Sequence, residues 1–124
     1  MDHATTFVGM DVHQNSIQVA ILVPGSSEVV EFREANTTEA MRRLARRLKR
    51  ESSGVLATCY EAGPTGYALQ RHLRAQGIPC TVVAPSLIPI RPGARIKTDP
   101  RDARKLAELF RAGLLTEVHP PSES

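Results

Sequence analysis

The chain lacks the features that mark membrane, secreted and zinc-binding proteins. No apolar run in the sequence approaches the roughly 20 residues of a membrane-spanning helix. Residues 1–6 do not show the basic-then-apolar pattern of a signal peptide. The two cysteines, Cys59 and Cys80, form no CxxC motif, and no Cys/His spacing is typical of zinc. These absences predict a reduced cytoplasmic protein that does not associate with a membrane.

Motifs of several enzyme classes are also missing. The Gly-Pro-Thr-Gly loop at residues 63–66 matches neither a P-loop nor a GxGxxG pattern, so we interpret it as a strand-to-helix turn. No Ser/His/Asp arrangement is visible. The turn at residues 13–16 contains no glycine, which argues against the phosphate hairpin of a sugar kinase or an actin-like ATPase.

Apolar runs alternate with polar turns and helical patterns along the chain. The runs that predict strands are residues 7–12, 17–23, 28–33, 55–60 and 78–84. Tight turns join the first three, which favours an antiparallel meander. The last two enclose a helical pattern, and this β-α-β order implies a parallel pair. The sequence therefore predicts an α/β fold with a mixed five-stranded sheet flanked by helices.

Capping residues predict where the helices begin. Asn36, with Glu39 three positions later, resembles a capping box. Asp99 precedes Pro100, and proline is well placed at the first helical position, so Asp99 is predicted to be an N-cap and Asp102 the third helical residue. The predicted helices cover residues 37–50, 65–75 and 100–112.

Two segments are predicted to be irregular. Residues 85–96 contain three prolines and a glycine, a composition typical of a loop. Residues 114–124 carry a His-Pro-Pro sequence and are interpreted as a linker or tail with no core of its own, which leads toward an absent C-terminal domain. Residues 1–113 would then form one domain, as the chain length suggests.

Acidic residues occur at positions where a buried strand ends. Asp11 lies at the end of the first strand, and Glu61 directly follows the fourth. If these strands are parallel neighbours, about 4.8 Å apart, both carboxylates emerge at the edge of the sheet where α/β proteins bind ligands. They would repel each other unless a cation lay between them. His13 either orders this site or is an ordinary turn residue.

Asp99 and Asp102 can be explained by capping alone, but they also follow the fifth strand. Together with Asp11 and Glu61 they would place four carboxylates at one edge of the sheet. All-oxygen sites suit Mg²⁺, with Mn²⁺ as a substitute, and paired ions of this kind are the recurring device of phosphodiester chemistry. We therefore predict a metal site made by these four acids.

Basic residues are concentrated in two places, although the net charge is only +3. Residues 42–50 hold six basic residues and no acid, and this cluster is either a solvated helix face or a polyanion-binding surface. The second cluster surrounds Asp99 and Asp102 and is predicted to hold a nucleic-acid backbone. Its members are Arg91, Arg95, Lys97, Arg101, Arg104 and Lys105.

The order of elements and acids is similar to the ribonuclease H-like fold, and three sequence strings are more specific. Residues 9–22, 59–73 and 97–109 read GMDVHQNSIQVAIL, CYEAGPTGYALQRHL and KTDPRDARKLAEL. They resemble the N-terminal RuvC-like domain of the DEDD transposases, insertion-element recombinases guided by a bridge RNA. The resemblance implies that Asp11, Glu61, Asp99 and Asp102 are the catalytic tetrad.

The resemblance also implies functional expectations. They are Mg²⁺-dependent cleavage and exchange of DNA strands during transposition, with double-stranded DNA as substrate, a structured guide RNA, and assembly into dimers or larger oligomers in a bacterial or archaeal cytoplasm. In that family a second domain supplies a serine nucleophile, so this domain alone would be incomplete. The alternative hypothesis is a non-catalytic RNA- or DNA-binding module of the same fold.

Overall fold

A five-stranded mixed sheet forms the centre of the molecule. The computed structural model describes residues 5–89, 96–99 and 102–120. The strands of the main sheet are β1 (Thr6–Val12), β2 (Ser16–Leu22), β3 (Val29–Ala35), β4 (Leu56–Glu61) and β5 (Cys80–Val83). The other elements are α1 (Thr38–Glu51), α2 (Ala68–Ala75), β6 (Ser86–Pro89), β7 (Ile96–Asp99) and α3 (Ala103–Arg111).

The strand order in this sheet is β3-β2-β1-β4-β5. Strands β1, β2 and β3 form the predicted antiparallel meander. Strand β4 lies parallel to both β1 and β5, which confirms the parallel pair and puts the meander next to it. This topology, with helices on both faces, is that of the ribonuclease H-like α/β class.

The strand residues alternate between two cores. Val8 and Met10 of β1 and Tyr60 of β4 face the larger core, which α1 and α2 cover. Gly9 and Cys59 face the opposite side, where α3 packs through Leu106. Because β1 and β4 are covered on both faces, they read as nearly continuous apolar runs. No helix in the described part of the chain is long and apolar enough to cross a membrane.

The first helix does not begin with the predicted capping box. The N-cap is Thr37, whose hydroxyl accepts a hydrogen bond from the Ala40 amide at 3.1 Å. The Asn36 side chain instead donates to the carbonyl of His13 at 2.7 Å. It is therefore used to hold the β1–β2 turn against the start of α1. Similarly, α2 begins at Ala68 rather than at residue 65, after a turn.

Part of the segment predicted to be irregular is a hairpin. Strands β6 and β7 pair antiparallel, with Ser86 opposite Asp99. The prolines did not prevent this pairing because Pro89 lies at the end of its strand, where a missing amide costs least. Residues 90–95 lie outside the described residues.

The segment after α3 does not leave the domain immediately. Ala84 donates a backbone hydrogen bond to Thr116, Val118 donates one to Val82, and Glu117 forms an antiparallel bridge with Val83. The Val118 side chain packs against the larger core. Residues 116–118 of the segment interpreted as a linker or tail therefore cover the edge of β5.

Tyr60 supports the loop that follows β4 through two hydrogen bonds of its hydroxyl. We expect Tyr60→Phe to lower the free energy of unfolding by about 1–3 kcal/mol, because the partners of that hydroxyl lose their hydrogen bonds. Its hydroxyl donates to the Gly66 carbonyl at 3.1 Å and accepts from the Gln70 amide at 3.3 Å. Burial raises the Tyr60 pKa to about 12. The folded state therefore holds this proton more tightly than the unfolded state, so stability falls as the pH rises through about 10–12.

Denaturant unfolding at a series of pH values tests this prediction. The wild-type chain should lose stability at alkaline pH, and Tyr60→Phe should lose less over the same interval because it has no hydroxyl to ionise. Burial also raises the pKa of Cys80, to about 11, so part of the alkaline loss should remain in the variant. Identical profiles for the two proteins would contradict the assignment to Tyr60.

Candidate active site at the carboxyl edge of the sheet

Asp11 and Glu61 occupy matching positions on adjacent parallel strands. Met10 pairs with Tyr60 in the β1–β4 register, and Asp11 and Glu61 are the next residue of each strand. Neighbouring strands lie about 4.8 Å apart, and residues in register point to the same face. Two acids that the sequence separates by fifty positions are therefore side by side at the carboxyl edge of the sheet.

Both acids belong to the face that α3 covers. Asp11 is two residues after Gly9, and Glu61 is two residues after Cys59, so strand alternation gives each pair the same face. A Cβ atom at Gly9 would collide with the carbonyl oxygen of Ala103 and the amide nitrogen of Ala107. The first turn of α3 therefore rests directly on β1 beside Asp11, a contact that only glycine permits.

Asp102 is the N-cap of α3, not its third residue. Its Oδ1 accepts a hydrogen bond from the Lys105 amide at 2.7 Å, and the helix begins at Ala103. The prediction that Asp99 caps this helix is wrong, because Asp99 ends strand β7. Since Ala103 packs on Gly9, Asp102 starts the helix on the same face as Asp11. The Asp102 residue is exposed.

The position of Asp99 is given by the strand pairing of its backbone. It lies opposite Ser86 in the hairpin, and Ser86 follows Val83, the residue of β5 that pairs with Glu61. Ser86, which pairs with Asp99, is therefore only three residues along the chain from Val83, which pairs with Glu61.

The Asp11 carboxylate is held by the turn that follows it. Its Oδ2 lies 2.9 Å from the Nε2 of His13, with the Asp11 side chain 31% exposed and that of His13 60% exposed. The backbone of this turn is closed by His13 donating to the Ser16 carbonyl at 2.8 Å. The carboxylate is accessible, and a solvent-exposed contact such as this one gives way cheaply to a stronger ligand.

A row of polar residues extends from Asp11 across the meander. Gln18 lies directly opposite Asp11, and Arg33 lies opposite Gln18. The Arg33 guanidinium donates to the Gln18 side chain at 3.1 Å. The row places Arg33 two strands, or about 10 Å, from the position of Asp11. At this distance the Arg33 charge attracts the Asp11 carboxylate without forming an ion pair with it.

An open cleft of about 640 Å³ lies at the carboxyl edge of the sheet, lined by residues close in sequence to the two acids but by neither acid itself. Its walls come from the segments that follow each acid, namely Val12, His13 and Gln14 after Asp11, and Pro64 and Thr65 after Glu61, together with Asn36. Its volume falls within the usual range of ligand sites, roughly 300–1,000 Å³. The cleft is therefore large enough to hold part of a ligand at this edge of the sheet.

The described side chains by themselves do not complete a metal cage. Within the part of the chain that the structure describes, no three His, Cys, Asp or Glu residues are close enough to hold a metal ion. The donor chemistry nevertheless suits a hard cation, since Asp11 and Glu61 offer carboxylate oxygens in adjacent positions. Further ligands would have to approach from the α3 start or from β7, which carry Asp102 and Asp99.

The predicted phosphate-binding residues are only partly described. Arg104 is exposed, with its Nε 3.4 Å from a carboxylate oxygen of Glu108, and Lys105 is also exposed on α3. Lys97 belongs to β7. Arg91, Arg95 and Arg101 lie outside the described residues.

Sequence reasoning missed Gly9, the residue that brings α3 against β1. The signal was available, because a glycine inside an apolar strand commonly marks a close backbone approach. The link from Asn36 to His13 was missed because both residues had simpler local explanations, as a cap and as a turn residue.

The fold and the acid pair define a ribonuclease H-like protein with an acidic site at the carboxyl edge of its sheet. Comparison with known families identifies it further. Residues 8–124 match the family model of DEDD transposases of IS110-type elements, described as "Transposase". The chain belongs to this transposase family, which confirms the resemblance found in the sequence.

Two curated relatives carry related names. A protein of Sinorhizobium fredii, provisionally named transposase y4qE, is 45% identical over 124 aligned residues that cover 98% of this chain and 32% of the relative. The "Transposase for insertion sequence element IS1533" of Leptospira borgpetersenii is 42% identical over 107 residues, covering 86% of this chain and 31% of the relative. The chain thus spans about a third of the length of these relatives.

The capping role of Asp102 can be tested by substitution. Asp102→Ala should destabilise the chain by about 1 kcal/mol, because the first turn of α3 loses its N-cap acceptor. Asp102→Asn should stay within about 0.5 kcal/mol of wild type, because asparagine is an equally good cap. Denaturant unfolding measures both. If Asp102→Asn were as unstable as the alanine variant, the negative charge would matter more than the cap.

Proposed function

We propose that the chain supplies the acidic, metal-binding part of the catalytic site of a DNA transposase. The observation that carries this proposal is the pairing of Asp11 and Glu61 at matching positions of adjacent parallel strands. Two like charges at this distance disfavour each other unless a cation neutralises them. Membership of the transposase family supports phosphodiester bonds in DNA as the target.

The residues that would hold the metal are Asp11 and Glu61, joined by Asp102 and Asp99. Bound Mg²⁺ would supply activation of the attacking nucleophile and stabilisation of the leaving oxygen. The protein's own contribution is orientation. The strand register aligns Asp11 with Glu61, and the N-cap hydrogen bond fixes the Asp102 carboxylate at the start of α3.

The partners belong to the same proposal. Double-stranded DNA would be the substrate, with its backbone held by Arg104, Lys105 and the basic residues around β7, and a structured RNA would guide the choice of site. Full-length protein would act as a dimer or larger oligomer in the cytoplasm. Because the chain is about a third as long as its relatives, strand cleavage is expected of the longer protein and metal binding of this chain.

Mn²⁺ titration followed by NMR tests the site directly. A paramagnetic ion bound between the acids should broaden the amide signals at the carboxyl ends of β1 and β4 and at the start of α3, before those of β3 or α1. Calorimetry gives the affinity. Uniform broadening, or no heat, would contradict the metal site, and if nucleic acid still bound, it would favour a non-catalytic binding module.

A further inference from the structure

The outward face of α1 carries a continuous basic stripe. Arg42, Arg46, Lys49 and Arg50 are all exposed, and they follow the i, i+4, i+7 and i+8 spacing of one helix face. The opposite side of the helix is buried in the larger core through Ala40, Met41, Leu44, Ala45 and Leu48. The stripe, defined by these four basic residues, therefore points directly away from the sheet.

The other two basic residues of α1 serve the fold. Arg43 is 3.3 Å from a carboxylate oxygen of Glu34, while the Arg47 guanidinium lies 3.7 Å from the centre of the Phe32 ring. Arg47 also faces Glu51 at 3.7 Å. Among the described residues, the ion pairs of this helix's cations involve only Arg43 and Arg47. The four charges of the stripe are not neutralised in this way, so they remain available to an external anion.

The stripe lies on the other side of the sheet from the acid pair. Helix α1 covers the face of Met10 and Tyr60, whereas Asp11 and Glu61 belong to the face that α3 covers. A nucleic-acid segment held at the acids would have to pass around the sheet to reach α1. The stripe is therefore a separate contact surface and does not extend the candidate active site.

We propose that the stripe binds the phosphate backbone of double-stranded DNA as a second contact. Arg42 and Arg50 are eight residues apart on the helix, a separation of about 12 Å at a rise of 1.5 Å per residue. Phosphates along one strand are spaced about 3.4 Å along the duplex axis, so this length matches three or four of them. The stripe itself contains no aromatic side chain on which single-stranded bases could stack. The choice of DNA as the polyanion rests on the proposed function.

Fluorescence anisotropy with a 20-base-pair DNA duplex in EDTA, over a series of salt concentrations, tests the proposal. EDTA removes metal binding from the measurement, so failure of the acid site and failure of the stripe give different results. Arg46→Gln/Arg50→Gln should lower the slope of log affinity against log salt by about 2, since each lost phosphate contact removes about 0.9. Glutamine has similar helix propensity to arginine, so α1 should persist.

The matched control removes two exposed arginines elsewhere, Arg71→Gln/Arg111→Gln on α2 and α3. The control should keep a slope close to wild type while its net charge equals that of the stripe variant. Equal losses in the two variants would overturn the proposal, because net charge alone would then explain them. It would also be overturned if a matched RNA duplex showed the stripe-dependent slope and DNA did not.

Discussion

Asp11→Asn is expected to weaken Mn²⁺ binding by more than about 100-fold, a loss beyond that usually caused by removing an outer-shell partner. In the full-length protein the same change should abolish transposition. Asparagine keeps the size and one oxygen of the side chain but removes the charge that attracts a cation. Binding measured by calorimetry on the chain and transposition measured with the complete protein should therefore fall together.

The fold should survive this change. Asp11 contacts His13 in a partly exposed polar contact, and even an exposed ion pair contributes only about 0–1 kcal/mol. Asparagine can still accept a hydrogen bond from that ring. An unfolding free energy within about 1 kcal/mol of wild type would show that the loss of metal binding results from the missing charge and not from unfolding of the variant. Full transposition by the variant would contradict the catalytic assignment of Asp11.

A control variant on the same strand pair makes the comparison sharper. Gln18→Glu adds a charge directly opposite Asp11 without removing an acid of the site. If metal binding depends simply on negative potential at this edge, Gln18→Glu should strengthen it. If it depends on the particular geometry of Asp11 and Glu61, Gln18→Glu should not compensate for Asp11→Asn in the double variant.

The sheet could be predicted from the sequence because its signals are local. Short apolar runs separated by tight turns specify a meander, and a helix between two strands specifies a parallel pair. The nearness of Asp11 and Glu61 followed from one inference, that β1 and β4 are neighbours, and the register confirms that inference. Whether the two acids bind metal remains a prediction.

The errors arose where one residue had two plausible local roles. Asn36 and Asp99 both have good N-cap chemistry, yet Thr37 and Asp102 hold those positions. The Asn36 side chain instead donates a hydrogen bond to the His13 carbonyl in a distant turn. Asp99 instead pairs with Ser86 in the β6–β7 hairpin. Sequence pattern identifies candidates for a cap, but the tertiary partner decides which candidate is used.

The position of α3 on the sheet is a part of the site that the sequence pattern could not predict. Its buried face, with Ala103, Leu106 and Ala107, was predictable from helical spacing. Where it crosses the sheet depends on which strand offers space for a backbone-to-backbone approach. That space exists at Gly9, where the missing side chain lets the first turn of α3 rest on β1 two residues before Asp11.

Gly9→Ala is accordingly expected to have the largest effect on the fold of any conservative change near the site. The added Cβ would meet the Ala103 carbonyl oxygen and the Ala107 amide nitrogen, with the Ala107 Cα 3.0 Å away. Backbone atoms of a packed helix cannot rotate aside as a flexible side chain can, so α3 must shift. Overpacking of this kind costs about 1–3 kcal/mol, and we expect the upper part of that range.

The shift should also affect the site, because Asp102 begins the displaced helix. Mn²⁺ affinity should fall in Gly9→Ala even at temperatures where the variant remains fully folded. Gly63→Ala is the matched control. A Cβ there has no neighbour within 4 Å, and its φ is not positive, so stability should stay within about 0.5 kcal/mol of wild type. Equal stability of the two variants would show that α3 does not depend on the absence of a side chain at Gly9.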